Sequence, residues 1–306
     1  MRILITGVDG QLGSQLVQNP QTNMEVIGLN KNQFNLLNFE QCRKTILNLK
    51  PDWIINTAAF TAVDQAEIDF KKTFDINAFG VEVIAKTCSS YGGRLLQIST
   101  DFVFDGSKKT PYLPYDKCNP LNKYGESKLK GEYLSLKYPG NLILRTSWLY
   151  GPSGNNFCLK MLDLHKNALK QSKILKIVND QKGCPSDTIQ LARICWELIK
   201  KETDTKSKQK IFHWSNKGIT TWYDFAFSIG QFAEEYGLIE KAAEIQPISS
   251  SEYKTLAKRP NFSALDCNQT SRFLGIEQLA WRESLKLTLK EYSKILLDQN
   301  IWKKIK

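Results

Sequence analysis

Three short stretches of the 306-residue chain carry residue types able to act together. One is Gly7-Val8-Asp9-Gly10-Gln11-Leu12-Gly13, set behind the apolar run Ile3 to Thr6 and ahead of a helical stretch. Glycines spaced G-x-x-G-x-x-G permit a tight turn, let backbone N–H groups approach a pyrophosphate, and let the following helix pack close with its positive dipole end facing the phosphates. The second is Tyr124-Gly125-Glu126-Ser127-Lys128. On a helix this i, i+4 spacing puts phenol and ammonium on one face, where the ammonium can lower the phenol pKa and hydrogen-bond a ribose. The phenol then serves as a proton donor. The third is Ser99-Thr100-Asp101, at the end of a predicted strand, the edge where doubly wound sheets hold ligands. A Thr100 hydroxyl there suits a carbonyl oxygen held between Tyr124 and a dinucleotide.

The dinucleotide is read from the end of the second strand, where an Asp or Glu would hold a ribose 2′-hydroxyl. Here the stretch is Gly28-Leu29-Asn30-Lys31-Asn32, with no acid from Val26 to Phe39. Lys31 can pair with a 2′-phosphate and Asn30 repels nothing, which favours NADPH over NADH; Lys31 as an idle surface lysine is the alternative. Trp148 is readable as a core residue or a ligand contact, and Asp64 and Glu67 as residues shaping a loop beside the site. Asn77 either orders active-site backbone or a water, or is a buried helix asparagine.

Positioning these groups requires alternating strands and helices. Strands are predicted at Ile3 to Thr6, Glu25 to Leu29, Trp53 to Asn56, Arg94 to Ser99 and Asn141 to Thr146. Helices are predicted near Gln11 to Gln18, Phe39 to Leu49, Phe70 to Tyr91 and Tyr124 to Lys137. Helices of this length between strands specify parallel βαβ units, so the fold class is α/β, a doubly wound parallel sheet of Rossmann type. After Ser147 a turn-rich cluster, Gly151 to Asn156, breaks the rhythm. Beyond it are predicted helices Phe157 to Ala168, Thr188 to Lys201, Trp222 to Tyr236 and Trp281 to Leu297, strands Ile174 to Val178 and Ile211 to Trp214, and an extended stretch Glu244 to Ile248. Residues 1–150 with about 174–214 are expected to form a dinucleotide-binding domain. About 151–173 with 215–306 should form a smaller substrate-binding domain that caps the sheet's carboxyl edge.

Composition excludes several other classes. Seven cysteines is an odd number and no pair is spaced CxxC, so a disulfide framework or zinc site is not expected, and a reducing cytoplasm suits the pattern. Only His165 and His213 exist, which leaves a histidine triad or multi-histidine metal centre unsupported, and both read as structural. The net charge of +11 comes from scattered basic residues. The densest runs, Lys200-Lys201 to Lys210 and Lys303-Lys304-Ile305-Lys306, read as a solvated loop and a frayed end, so no nucleic-acid interface is expected. No apolar run approaches the ~20 residues of a membrane span, and Met1 to Gly7 is too short for a signal-peptide core.

A glycine-rich turn, a strand-end Ser/Thr and Y-x-x-x-K in that order resemble the short-chain dehydrogenase/reductase superfamily, in its extended branch. Further blocks narrow the resemblance: Gly10 to Gly13, Thr61 to Glu67, Ser99 to Gly106, Asn119-Pro120-Leu121 with Tyr124-Gly125, and Arg145 to Gly151. With Gly154 to Phe157, Asn179-Asp180-Gln181 and Gly183, and Arg259-Pro260 with Ser263 to Asp266, the set is similar to the dTDP-4-dehydrorhamnose reductase family over nearly the whole chain. The resemblance implies NAD(P)H-dependent reduction of the 4-keto group of dTDP-4-dehydro-6-deoxy-L-mannose to dTDP-L-rhamnose, the last step in making that donor for surface polysaccharide. It implies that hydride passes from the nicotinamide to C4 of the sugar, with Tyr124 as proton donor, Thr100 orienting the oxygen and Lys128 tuning Tyr124. The cofactor contacts it implies are Gly10, Gln11, Leu12, Asn30, Asn35, Leu36, Ala59, Phe60, Thr61, Tyr124 and Lys128, to which the glycine and strand-end reading adds Gly7, Gly13 and Lys31. Substrate contacts are Thr100, Asp101 and Trp148.

The chain also departs from the family. Phe102 stands where a Tyr is common, and Asn30, Asn35 and Asn38 replace acids, which again favours NADPH. Some relatives join a dimer through metal-bound glutamates, but Gln15 and Gln190 stand at the corresponding places, so no metal is expected and a homodimer stays open. A reductase making another deoxysugar, such as 6-deoxy-L-talose, would use the same three catalytic residues and differ in product stereochemistry. A regulatory subunit that only binds a dinucleotide is the reading from another class, and the intact Thr100, Tyr124 and Lys128 argue against it.

Overall fold

In the computed structural model, which describes residues 1–171, 173–205 and 208–305, six strands form one parallel sheet. Across the sheet they run Glu25–Leu29, Arg2–Thr6, Trp53–Asn56, Arg94–Thr100, Leu142–Thr146 and Ile211–His213. All five neighbouring pairs are parallel. The chain starts inside the sheet, steps outward to Glu25–Leu29, then reverses to the other side of Arg2–Thr6. That reversal is a topological switch point, and ligands of open α/β sheets bind outside the carboxyl ends of the strands there. Ile3, Leu4, Ile5, Trp53, Ile54, Ile55, Leu95, Leu96 and Leu142 to Leu144 have no exposed surface. Strands covered by helices on both faces must be apolar along their length, which is why they read as unbroken runs.

A polar ladder crosses this apolar sheet. The Thr6 hydroxyl donates to Asn56 Oδ1 at 2.5 Å, Asn56 Nδ2 donates to Gln97 Oε1 at 2.7 Å, and Gln97 Nε2 donates to the Ile98 carbonyl at 2.7 Å. The first two bonds join neighbouring strands and the third closes the ladder within Arg94–Thr100, so a register slip would leave several of these buried atoms unpaired.

Helices Val63–Ile68 and Asn268–Leu274 are not foreseen in the sequence, and three predicted helices break or end elsewhere than read. The stretch read as one helix from Phe70 to Tyr91 consists of Phe70–Phe74, a π-helical turn Asp75–Phe79 and Gly80–Ser89. The helix starting at Thr188 runs to Thr205, not Lys201, so its last turn lies in what reads as loop. Burial holds that turn: Glu202 is 1% exposed, Arg94 Nη1 donates to its carbonyl at 3.1 Å, and Trp53 Nε1 donates to Thr203 Oγ1 at 3.3 Å. Lys206 and Ser207 of the expected loop, and Lys306 of the basic tail, lie outside the described residues. The final helix spans Trp281–Ile305.

The chain divides into two compact units, Met1–Ser147 with Thr188–Ser215 and Thr255–Glu277, and Trp148–Asp187 with Asn216–Lys254 and Gln278–Lys306. Two stretches fall differently from the expected division. Residues 174–187 join the second unit, where Leu175–Val178 pairs with Ile245–Ile248 and Lys182–Gly183 with Thr220–Thr221. Residues 255–277 join the first, where Tyr112 N donates to the Ala264 carbonyl and Asp266 N to the Tyr112 carbonyl, both at 2.8 Å. The second unit has its own core, in which Phe225, Ile229, Leu285, Leu289 and Cys158 are fully buried. Among the described residues no helix is long and apolar enough to cross a membrane.

Candidate active site

The glycine turn closes at the carboxyl end of Arg2–Thr6. Gly7 has φ +72°, and a Cβ there would lie 2.8 Å from the Ala58 nitrogen. A Cβ on Gly13 would lie 2.8 Å from the Gly7 carbonyl carbon and 2.9 Å from Thr57 Oγ1. Only glycine fits either place. The turn is pinned by Gly7 N donating to the Leu29 carbonyl and Gly10 N to the Gly7 carbonyl, both at 2.9 Å. Gly10 then begins the Gln11–Gln18 helix without a side-chain cap, and its first turn holds no acid. An open amide terminus, a first helical turn without an acid and a cradle that any Cβ would fill suit a pyrophosphate.

The neighbouring loops frame that turn. Asn30 Oδ1 accepts from Asn32 N and Gln33 N, both at 3.1 Å, and Asn35 Oδ1 accepts from Leu37 N at 3.1 Å. These two side chains shape the loop, Leu36 is buried, and Lys31 is exposed on it. Ala59 and Phe60 are half-buried and Thr61 is exposed after strand Trp53–Asn56. Asn77, 2% exposed within the π-helical turn, clasps Phe60: Phe60 N donates to Oδ1 at 2.8 Å, and Nδ2 donates to the Phe60 carbonyl and to Ser127 Oγ, both at 3.0 Å. It orders backbone next to the Tyr124 helix, one of the two roles the sequence leaves open.

The reacting groups sit on the same carboxyl edge. The Thr100 hydroxyl ends Arg94–Thr100, donates to Asp101 Oδ1 at 3.1 Å, accepts from Phe102 N at 3.2 Å and lies beside the Tyr124 side chain. Tyr124 lies in the first turn of the helix Lys123–Leu136, capped by Asn122 Oδ1 accepting from Gly125 N at 2.8 Å. Phe102 meets the Tyr124 ring edge-on with centroids 5.8 Å apart. Lys128 is 5% exposed and its Nζ donates to the Ile98 carbonyl at 2.6 Å. Asp64 and Glu67 shape the surrounding loops: Asp64 accepts from Arg259 Nη2 at 2.7 Å and Ala257 N at 3.0 Å, and Glu67 accepts from Lys123 N at 2.7 Å.

Electrostatics here reverse one expectation. Burial pushes the Tyr124 phenol up to about 12, with the Thr100 hydroxyl opposing and the Asp101 charge adding to the rise. Lys128, whose ammonium is turned to the Ile98 carbonyl, does not bring it below its ordinary value of 10. Burial brings Lys128 down to about 8, against the opposing charge of Glu132. Burial likewise raises Asp101 to about 7, although Ser263 and Thr100 hydrogen-bond it. The phenol therefore holds its proton at neutral pH, as a donor must.

The first unit thus brings Thr100, Asp101, Tyr124 and Lys128 together and puts the glycine turn at the same sheet edge. Trp148 opens the second unit with φ +46°, a strained conformation for a bulky side chain. Its ring stacks on Trp222 with centroids 3.6 Å apart, and Gly183 leaves room for it, since a Cβ there would lie 2.7 Å from the indole. Trp222 escapes sequence reasoning because it reads as the start of an amphipathic helix. Glu132 and Arg145 escape it too, being thirteen residues apart on different elements; the only signal is a charge at each of two positions whose neighbours are apolar or small.

Comparison with known proteins adds to this geometry. The family described as RmlD substrate binding domain matches residues 1–294. A dTDP-4-dehydrorhamnose reductase from Aggregatibacter actinomycetemcomitans is 37% identical over 289 residues, covering 93% of this chain and 97% of the relative. The solved structure of a dTDP-4-dehydrorhamnose reductase from Clostridium acetobutylicum superposes with a TM-score of 0.87 at 36% identity, covering 96% of this chain and all of the other. That of the Bacillus anthracis enzyme in complex with NADP has a TM-score of 0.85 at 32% identity, covering 95% and 99%.

Proposed function

The chain belongs to the dTDP-4-dehydrorhamnose reductase family, and from that membership we propose that it reduces the 4-keto group of dTDP-4-dehydro-6-deoxy-L-mannose to give dTDP-L-rhamnose. The observation that carries the reading is the pair of hydroxyls, Thr100 and Tyr124, brought together at the sheet edge that also bears the glycine turn, with Lys128 one turn behind. NADPH, favoured over NADH by the exposed Lys31 and the absence of an acid from Val26 to Phe39, supplies the hydride when bound. Gly7 to Gly13 hold its pyrophosphate, Asn30, Lys31, Asn35 and Leu36 its adenosine end, and Ala59 to Thr61 with Tyr124 and Lys128 the remainder.

In this reading the ketone oxygen accepts hydrogen bonds from Thr100 and Tyr124. Tyr124 gives its proton to the developing alkoxide, and the charged Lys128 stabilises the phenolate left behind. Thr100 and Asp101 touch the sugar, and Trp148 is a further substrate contact supported by the family resemblance and by its strained, stacked position. We assign dinucleotide binding to the first unit and substrate binding to the second, and the cytoplasm as the compartment, which the seven free thiols suit. A homodimer is the assembly to test by sedimentation.

A coupled assay decides the matter. The 4-keto-L-sugar is generated in situ from dTDP-glucose, oxidation of NADPH or NADH is followed by absorbance, and the product is identified by NMR. Formation of dTDP-L-rhamnose that collapses in Tyr124→Phe is expected. A product of other stereochemistry would reassign the sugar, and dinucleotide binding without turnover would move the chain to a regulatory role.

A further inference from the structure

Behind Thr100, Tyr124 and Lys128 lies a charged cluster with no part in the steps above. Glu132 stands one helical turn beyond Lys128 and is 1% exposed. Its Oε1 accepts from the Ser99 hydroxyl at 2.5 Å and from Arg145 Nε at 2.9 Å, and its Oε2 accepts from Arg145 Nη2 at 2.7 Å. Arg145 is 2% exposed and sits directly opposite Ser99 in the strand pairing. Its remaining donors reach the Pro114 carbonyl at 3.1 Å and Cys118 Sγ at 3.3 Å. One carboxylate therefore ties the helix of Tyr124 and Lys128 to the residue before Thr100 and to the adjacent strand. A bidentate, fully hydrogen-bonded pair fixes orientation as well as contributing energy.

Glu132 also bears on the ammonium. Lys128 has a neutral hydrogen-bond partner, the Ile98 carbonyl, and the charge that opposes its burial is that of Glu132. The other acids on elements packed against this helix are otherwise engaged, Asp64 with Arg259 at 2.7 Å. Glu67 accepts from Lys123 N, Asp75 pairs with Lys71 at 3.5 Å, Glu82 pairs with Lys137 at 3.9 Å, and Asp101 bears on Tyr124. Across the strand pair, Arg145 is locked on Glu132, and His213, 3.3 Å from it, is held neutral by burial and then by the guanidinium.

We propose that Glu132 is a positioning residue for the reduction, holding the Tyr124 and Lys128 helix in register with the Thr100 strand end and keeping the Lys128 side chain charged. The proposal rests on the reductase reading, because a charged Lys128 matters where Tyr124 gives up a proton. The test is an NMR titration of the whole protein labelled with [13Cε]lysine, the Lys128 signal being assigned with Lys128→Arg. Glu132→Gln strands a buried guanidinium and puts the fold at risk, so Glu132→Gln combined with Arg145→Met, which removes that charge, is titrated alongside. In a folded variant the Lys128 midpoint should fall by about one pH unit or more from its wild-type position, and the alkaline limb of kcat should move down with it. An unmoved midpoint in a folded variant would overturn the proposal. A wild-type protein that binds NADPH yet turns over no sugar would instead sink the reductase reading, and the titration would still decide whether Glu132 governs the charge of Lys128.

Discussion

The residue after the proton donor should be as intolerant of change as the donor itself. A Cβ added at Gly125 would lie 2.9 Å from Pro120 Cβ and 3.1 Å from the Phe102 carbonyl carbon, with the Phe102 oxygen closer still. Ordinary carbon–carbon contacts are about 3.8 Å, so Gly125→Ala must move the start of the Lys123–Leu136 helix by about 0.9 Å relative to Pro120. Neither neighbour can yield, because one is a proline ring and the other backbone in the turn directly after Thr100. The displacement falls between the Tyr124 and Thr100 hydroxyls, and misplacement of about 1 Å at reacting groups costs about 100-fold in rate. Overpacking of this kind should also cost about 1–3 kcal/mol of stability. The glycine turn lies on a different strand end and only Tyr124 and Lys128 of the proposed cofactor contacts are on this helix, so NADPH binding should weaken far less than kcat falls, which calorimetry can measure beside kcat from NADPH oxidation and Tm from thermal unfolding. A kcat within threefold of wild type, with Tm unchanged, would refute the claim that this contact sets the distance between the two hydroxyls.

Other perturbations follow from the same geometry. Lys128 is charged below about pH 8 and neutral above it, whereas Tyr124 keeps its proton to about 12; kcat should therefore decline along a one-proton limb near pH 8, and a rate that stays flat until pH 11 would assign the limb to Tyr124. Asp101 binds its proton more tightly folded, at about 7, than at its ordinary 3.8, so the native state loses relative stability as pH rises between these values. Asp101→Asn should abolish that slope, and its Tm relative to wild type should grow more favourable from pH 5 to pH 8 in a melting series. Lys31→Ala should weaken NADPH binding by about tenfold and leave NADH unchanged, and equal losses for both would place Lys31 away from the 2′-phosphate.

Much of the first unit is legible in sequence because its strands are buried on both faces, so Trp53 to Asn56 or Leu142 to Thr146 can be little but strand. The division into units is harder to read. It depends on Leu175–Val178 choosing Ile245–Ile248 as partner and on Tyr112 meeting Leu265, and pairings of that sequence separation leave no local pattern. The π-helical turn is hidden for a related reason. Asp75 to Phe79 keeps its helical periodicity, and what the extra residue accomplishes, aiming Asn77 at Phe60 and Ser127, is visible only in three dimensions.

The site shows where spacing stops being informative. Tyr124 and Lys128 share a helical face, as i and i+4 require, and spacing alone predicts that the ammonium depresses the phenol. Which charge reaches which group is set by hydrogen bonds outside the motif, with Lys128 drawn to Ile98 and Asp101 facing the phenol. The outcome fits reduction better than the expectation does, because a proton donor has to hold its proton until the alkoxide forms and a phenol near 12 does so across the physiological range. The lysine then has most effect after transfer, when the phenolate exists, and its own position near 8 makes its charge conditional. A motif of two residues thus depends on a third, Glu132, which the same helix presents one turn later and which only the register between Ser99 and Arg145 connects to Thr100.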